Sequence, residues 1–286
     1  MASQDQTEPI ADAADAGVTR PPATGGLAMA PGGTMGRFVV LGALGAGGMG
    51  VVLCAFDPEL DRKVAIKVLR GGGAGVEARV RLQREAQAMA KLAHPNAVTV
   101  YEVGRVGEHV FVAMELVDGS TLKAWLADEA RGWRELVTMF VAAGRGLQAA
   151  HDAGLVHRDF KPENVLIGRD GRPRVSDFGL AERASVEAFA AAELGDPGRS
   201  LSVDGTVVGT PTYMAPEQWQ GAEVDARSDQ FAFCVALWRA LADVGPFEGD
   251  TADELRAAVI AGRRRARGAT ATRAVPAWLW TLLDRG

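Results

Sequence analysis

An Asp-Gly pair at Asp170-Gly171, set between Val165-Leu166-Ile167 and Val175, constrains this chain more than any other short stretch. Asp-Gly between apolar runs predicts a hairpin with a two-residue turn. Such a turn places Asn164 directly opposite Asp177 on one face, with Cβ atoms roughly 5 Å apart. Asp159 lies five residues upstream of Asn164. Oxygen donors grouped in this way suit Mg²⁺, which takes carboxylate and carbonyl ligands and completes its shell with phosphate and water. Any one of these residues could be the solvated end of a surface hairpin; together they point to a device for holding metal.

Upstream of the hairpin the pattern is strand-like. Residues 38–41 and 51–56 flank Gly45-Ala46-Gly47-Gly48-Met49-Gly50, where missing side chains let backbone N–H groups approach phosphates. The G-x-G-x-x-G spacing is weak alone. Here a strand follows it, not a helix, which argues against a dinucleotide-binding Rossmann unit. Within 64–69, alternation puts Val64, Ile66 and Val68 on one face and Ala65 with Lys67 on the other. Leu82, Ala86, Met89 and Ala93 recur at helical spacing across 76–93, and Glu85 shares their face. A carboxylate there needs a partner, and an inward Lys67 would supply it. The alternative is a surface Lys and a surface Glu, in a helix that also carries Arg79, Arg81 and Arg84.

His94-Pro95-Asn96 ends that helix, because proline disfavours helical geometry in the residue before it. Strands are predicted at 98–103 and 110–116, and after Glu115-Leu116-Val117-Asp118-Gly119 the composition turns helical, which marks a hinge. Helices are predicted at 120–129 with Ser120 as N-cap, at 134–153 stopped by Gly154, at 228–241, at 251–261 and at 276–284. The 228–241 segment is apolar almost all round, as expected of a helix buried at the centre of a lobe. Residues 180–208 lack firm periodicity and read as a loop.

The remaining composition excludes several classes. Of the net charge of −5, residues 1–35 carry −3, four acids against Arg20. With only −2 left for the rest, no nucleic-acid partner is expected. Arg263-Arg264-Arg265 and Arg267 follow a predicted helix end and read as solvated cations. Cys54 and Cys234 fit no metal or disulfide spacing and read as free packed thiols in a reducing, cytoplasmic compartment. No signal peptide or membrane-spanning run is seen. Residues 1–35, without an aromatic residue, are expected to be a disordered tail.

Taken together, H-R-D-F-K-P-E-N from His157, D-F-G from Asp177, V-A-I-K ending at Lys67, the glycine loop and A-P-E from Ala215 resemble the signature set of protein kinases. The chain is identified as similar to bacterial-type, eukaryotic-like (Hanks-type) serine/threonine protein kinase catalytic domains, over residues 37–286. Lysine two residues after Asp159 is the serine/threonine form of the loop. The resemblance implies an α+β, bilobal protein-kinase fold: an N-lobe (36–117) of antiparallel sheet plus one main helix, and a mainly helical C-lobe (118–286).

It also implies ATP with Mg²⁺, for which Mn²⁺ can stand in. Leu44, Gly45, Gly47, Gly50, Val52 and Ala65 would cover the nucleotide, with Met114 as gatekeeper, the backbone of Glu115 and Val117 at the adenine, and Leu166 beneath it. Lys67, held by Glu85, would bind the α- and β-phosphates. Asp177 and Asn164 would hold metal, Lys161 would steady the γ-phosphate, and Asp159 would take the substrate hydroxyl's proton. The Asp229 carboxylate would fix the His157-Arg158 backbone.

Partners would be proteins with Ser/Thr acceptors, and a transient homodimer for trans-autophosphorylation. Arg158 is expected to stay without an anionic partner until a loop hydroxyl is phosphorylated, Thr206 first and Thr210, Ser200 or Ser202 as alternatives, while Thr210 joins the substrate platform. In the family the A-P-E glutamate pairs with an arginine beyond the point where this chain ends, so Glu217 is expected to lack that partner. Trp278, Leu279, Trp280 and Leu282 are expected to form an exposed apolar face. A pseudokinase scaffold would usually have lost Lys67, Asp159 or Asp177; a small-molecule kinase of related fold would not be expected to carry the 209–217 closure.

Overall fold

In the computed structural model, the described residues are 30–47, 50–69, 87–107, 109–178, 211–265 and 274–286. Strands β1 (Thr34–Met35), β2 (Phe38–Gly47), β3 (Gly50–Asp57), β4 (Arg62–Leu69), β5 (Val100–Val106) and β6 (His109–Glu115) form a six-stranded antiparallel sheet in the order β1-β2-β3-β4-β6-β5. The sheet begins at Thr34, inside the stretch expected to be a tail, because Met35 pairs with Phe38 and is fully buried.

The alternation expected in β4 is realised. Val64, Ile66 and Val68 join one apolar cluster with Phe38, Leu53 and Phe111, while Ala65 and Leu69 face the larger core shared with the second lobe. Gly50, at φ +142, is required: a Cβ there would meet Val68 O at 2.0 Å. Of the helix expected over 76–93, only the end is described, with Met89 and Leu92 buried.

Beyond Glu115 the short strand β7 (Gly119–Thr121) pairs with β8 (Val165–Gly168), which pairs in turn with β9 (Pro173–Val175). Ser120 is therefore a strand residue, and the cap of α1 (Leu122–Asp128) is Thr121, whose hydroxyl accepts from Ala124 N at 3.1 Å. Helix α2 (Trp133–Asp152) ends before Gly154, which adopts φ +76. The short α3 (Pro216–Trp219) precedes α4 (Ala226–Ala242), α5 (Ala252–Ile260) and α6 (Ala277–Leu283). As expected, α4 is central: Ala232, Val235, Ala236, Leu237, Trp238 and Leu241 are buried, and Phe233 meets Phe140 of α2 edge-on at 5.7 Å.

The hairpin register corrects the expected turn. Val165 faces Val175 and Leu166 faces Arg174, so Asn164 stands opposite Ser176, one residue short of Asp177. The loop is Arg169-Asp170-Gly171, closed by Gly168 N donating to Arg172 O at 3.2 Å. Only Gly171 has positive φ; a two-residue type I′ turn needs it at both central residues, whereas a three-residue loop needs one.

Residues 96–98 are fastened to this hairpin. Val98 N donates to Val175 O at 2.9 Å, Val175 N to Asn96 O at 2.8 Å, and Asn96 Nδ2 to Pro173 O at 2.8 Å. Gly146 of α2 lies so close that a Cβ would meet Asn96 O at 2.0 Å.

On α6 the apolar face divides. Leu279 is buried and Trp280 packs on Trp238 at 4.9 Å, whereas Trp278 and Leu282 are exposed. Two of the arginines expected to be merely solvated have partners: Arg264 donates to Asp284 O at 2.7 Å, and Arg265 pairs with Glu248 at 3.1 Å. Cys54 and Cys234 are free and half-buried, and burial pushes the Cys234 thiol up to about 11. Among the described residues no helix is long and apolar enough to cross a membrane.

Candidate active site

Lys67 is buried on the β4 face that joins the larger core, between Val52 of β3 and Val112 of β6. A buried ammonium needs a charged partner, and Asp177 Oδ1 lies 2.9 Å from its Nζ. Glu85, the expected partner, lies outside the described residues, as do Ser200, Ser202, Thr206 and Thr210.

Asp177 follows β9 in left-handed conformation, φ 63. This breaks strand alternation, so the carboxylate reaches Lys67 while Phe178 turns into the core against His157 at 5.0 Å. Bulky residues rarely hold positive φ unless their surroundings enforce it, and Arg158, at φ 68, is a second case beside Asp159.

What holds that loop is Asp229 on α4, 1% exposed. Its carboxylate accepts from His157 N and Arg158 N, each at 2.7 Å, and from His151 Nε2 at 2.7 Å. This is the contact the resemblance implied for Asp229. His157 donates from Nε2 to Ser176 O at 2.8 Å, and its Nδ1 accepts from Asp159 N at 3.3 Å. Both ring nitrogens are thus used by the neutral imidazole, and burial pushes its pKa down.

Asp159 Oδ2 accepts from Lys161 Nζ at 2.6 Å and from Asn164 Nδ2 at 3.1 Å. Asn164 Nδ2 also donates to Asp159 O at 2.8 Å. The amide nitrogen of Asn164 being committed, its Oδ1 is the atom that could meet a cation, and among the described residues Asp177 pairs with Lys67 through Oδ1. An all-oxygen donor set of one carboxylate and one amide fits Mg²⁺.

The residues expected around the nucleotide base converge on one apolar cluster: Ala65 and Met114 are buried within it, and Val52, Val117 and Leu166 pack against it. Ala65 is paired with Met114 across the sheet. Glu115 N donates to Thr99 O at 2.8 Å. Leu44 is exposed on β2, Gly45 pairs with Val52, and Gly47 pairs with Gly50 at the hairpin end.

Residues 38–279 match the family model described as the protein kinase domain. The chain belongs to the protein kinase domain family. Among similar proteins, serine/threonine-protein kinase pkn2 of Myxococcus xanthus is 40% identical over 220 residues, covering 75% of this chain and 25% of that protein. PknL of Mycobacterium tuberculosis is 40% identical over 220 residues, covering 76% and 52%. A crystal structure of the Mycobacterium tuberculosis PknI kinase domain matches with a TM-score of 0.60 at 30% identity, covering 77% of this chain and 79% of that one. The kinase domain here thus spans a quarter to about half the length of these curated relatives.

Glu217, expected to lack the family's arginine partner, accepts a hydrogen bond from Ser228 Oγ in the first turn of α4. One expectation is overturned. Arg158 is not a vacant cation, for it already has an interaction partner.

Sequence reasoning missed Arg174 and Gln218. Arg174 is buried on β9 and joins the hinge to the hairpin loop, with Nε 2.9 Å from Glu115 Oε1 and Nη2 2.8 Å from Asp170 Oδ2. Its guanidinium holds the Asp170 carboxyl well below the usual carboxylate range. The signal was an arginine alternating with buried Val175 in a short strand, where a charge requires partners. Gln218 Nε2 donates to Arg158 O at 2.7 Å, a contact that no local spacing announces.

Proposed function

We propose that this chain is an ATP-dependent serine/threonine protein kinase, transferring the γ-phosphate of ATP to hydroxyls of protein substrates. The observation that carries the reading is the ion pair of buried Lys67 with Asp177 together with the Asp159–Lys161–Asn164 cluster. Phosphoryl transfer requires positioning and charge neutralisation more than covalent chemistry, and these groups are of that kind.

Lys67 binds the α- and β-phosphates. Asp177 and Asn164 would hold Mg²⁺, which when bound neutralises phosphate charge. With Asp159 Oδ2 occupied by Lys161 and Asn164, Oδ1 is the oxygen that accepts the substrate hydroxyl's proton. As that O–H bond breaks, the oxygen bonds to the γ-phosphorus, the bond to the bridging oxygen breaks and ADP departs. Lys161, beside Asp159, offers its ammonium to the moving phosphoryl oxygens.

The apolar cluster of Val52, Ala65, Met114, Val117 and Leu166 suits the adenine. Autophosphorylation at Thr206 in a transient homodimer, and a substrate-platform role for Thr210, belong to the same reading and rest on the family resemblance.

Intact mass spectrometry after incubation with Mg·ATP tests the proposal. Added phosphate on wild type, absent from Asp159→Asn, is expected; phosphate reaching choline or aminoglycosides but no protein hydroxyl would refute it.

A further inference from the structure

Resting on that reading, we propose that Gln218 is a positioning residue for the transfer step: it holds the peptide unit that carries Asp159 and ties it to the 211–216 segment. Gln218 is the third residue of α3. Its Oε1 accepts from Ala215 N at 2.9 Å, and its Nε2 donates to Arg158 O at 2.7 Å. The amide can lie only this way round, because one neighbour is purely a donor and the other purely an acceptor. The Oε1 bond alone would be half of a helix capping box. The Nε2 bond is different, since it crosses sixty residues of sequence to the loop beside the reacting carboxylate.

The Arg158–Asp159 peptide plane is thereby held at both polar ends. Its oxygen is bound by Gln218, and its N–H donates to His157 Nδ1 at 3.3 Å. Arg158 sits at φ 68, a conformation that persists only where surrounding bonds impose it. Asp229 supplies those bonds on the N–H side of the loop, at His157 and Arg158. Gln218 supplies the one on the carbonyl side. Rotation of this plane would swing the Asp159 side chain, whose Oδ2 is fixed by Lys161 and Asn164.

Gln218 is itself rigidly based. Ala215 and Trp219 on either side are buried, and Gln218 N donates to Ala215 O at 3.0 Å. Order in 211–216 is transmitted in this way to the angle at which Asp159 meets a hydroxyl.

Two variants separate the two ends of the bridge. Gln218→Met keeps the length and removes both bonds. Gln218→Glu keeps an acceptor for Ala215 N–H but sets a carboxylate oxygen against Arg158 O. With Mg·ATP and dephosphorylated casein as probe substrate, both should lower kcat by about ten- to a hundredfold, with KM for ATP within about twofold of wild type. A merely structural role would not produce that split.

Hydrogen exchange followed by mass spectrometry should show 157–161 exchanging faster in both variants, and 211–216 faster in Gln218→Met alone. A kcat within about twofold of wild type in both, or a KM for ATP rising in parallel, would overturn the proposal. If wild type itself transfers no phosphate to casein or to itself, the kinase reading fails separately. Exchange at 157–161 then decides the bridge, faster in both variants upholding it and unchanged refuting it.

Discussion

Replacing Asp229 should unfasten the catalytic loop from α4 at a calculable energy. Three donors converge on its carboxylate at 2.7 Å, two of them the backbone N–H groups of His157 and Arg158. The carboxylate is 1% exposed, so in Asp229→Ala no water replaces it for the buried amides. Hydrogen bonds to charged groups contribute about 1.5–3 kcal/mol each, so losing the two amide bonds costs about 3–6 kcal/mol. The third donor, His151, is partly solvated and adds little. Asp229→Asn keeps one oxygen and turns an NH₂ toward the other amide, so about half that loss, 1.5–3 kcal/mol, is expected.

Urea unfolding measures both. With a slope near 3 kcal/mol/M, at the upper end for small proteins, the Asp229→Ala midpoint falls by about 1–2 M and the Asp229→Asn midpoint by about half as much. An Asp229→Ala midpoint within about 0.3 M of wild type would refute the reasoning, as would Asn proving worse than Ala.

Lys67→Met and Asp177→Asn should each abolish phosphate incorporation while the chain still folds, Asp177→Asn with a lowered melting temperature because it strands the buried Lys67 ammonium, whereas Asp159→Asn should keep ATP affinity, read by calorimetric titration, while losing transfer. His157 is held neutral by burial, so its folded pKa lies below the unfolded value. Stability it supports is full above about pH 6.5 and declines as pH falls below that, because the unfolded chain then binds the proton more readily. Urea midpoints from pH 7.5 down to 5 should show the decline, and His157→Phe should flatten it; an unchanged slope would contradict a buried neutral imidazole. Gly146→Ala ought to stabilise an exposed helix by about 1 kcal/mol. Here a Cβ would lie 2.0 Å from Asn96 O, so a loss of about 1–3 kcal/mol by denaturant unfolding is expected instead.

Much of the site was legible because its chemistry is carried by contiguous motifs and its sheet by period-two alternation. Val64, Ile66 and Val68 separate from Ala65 and Lys67 as alternation requires. The turn was misread by one residue because Asp-Gly serves both a two-residue and a three-residue loop, and only the φ at Asp170 distinguishes them. Asp177 still reaches the site, but through its left-handed backbone and not through the cross-strand pairing first expected. Thr121 replaced Ser120 as cap because β7 needed Ser120 to pair with Ile167, and pairing between distant segments leaves no local trace. The partners of Glu217, Arg174 and Gln218 were hidden for the same reason.

Among the described residues the polypeptide passes between its two lobes through residues 116–118, yet the lobes are riveted a second time where Asn96 and Val98 bond to the β9 strand. Scission of the connector would therefore not part the halves. A chain cleaved within 116–118 by an inserted protease site should still elute as one particle in size exclusion, and the breakpoint becomes a place where new chain ends could be engineered without dismantling the cleft.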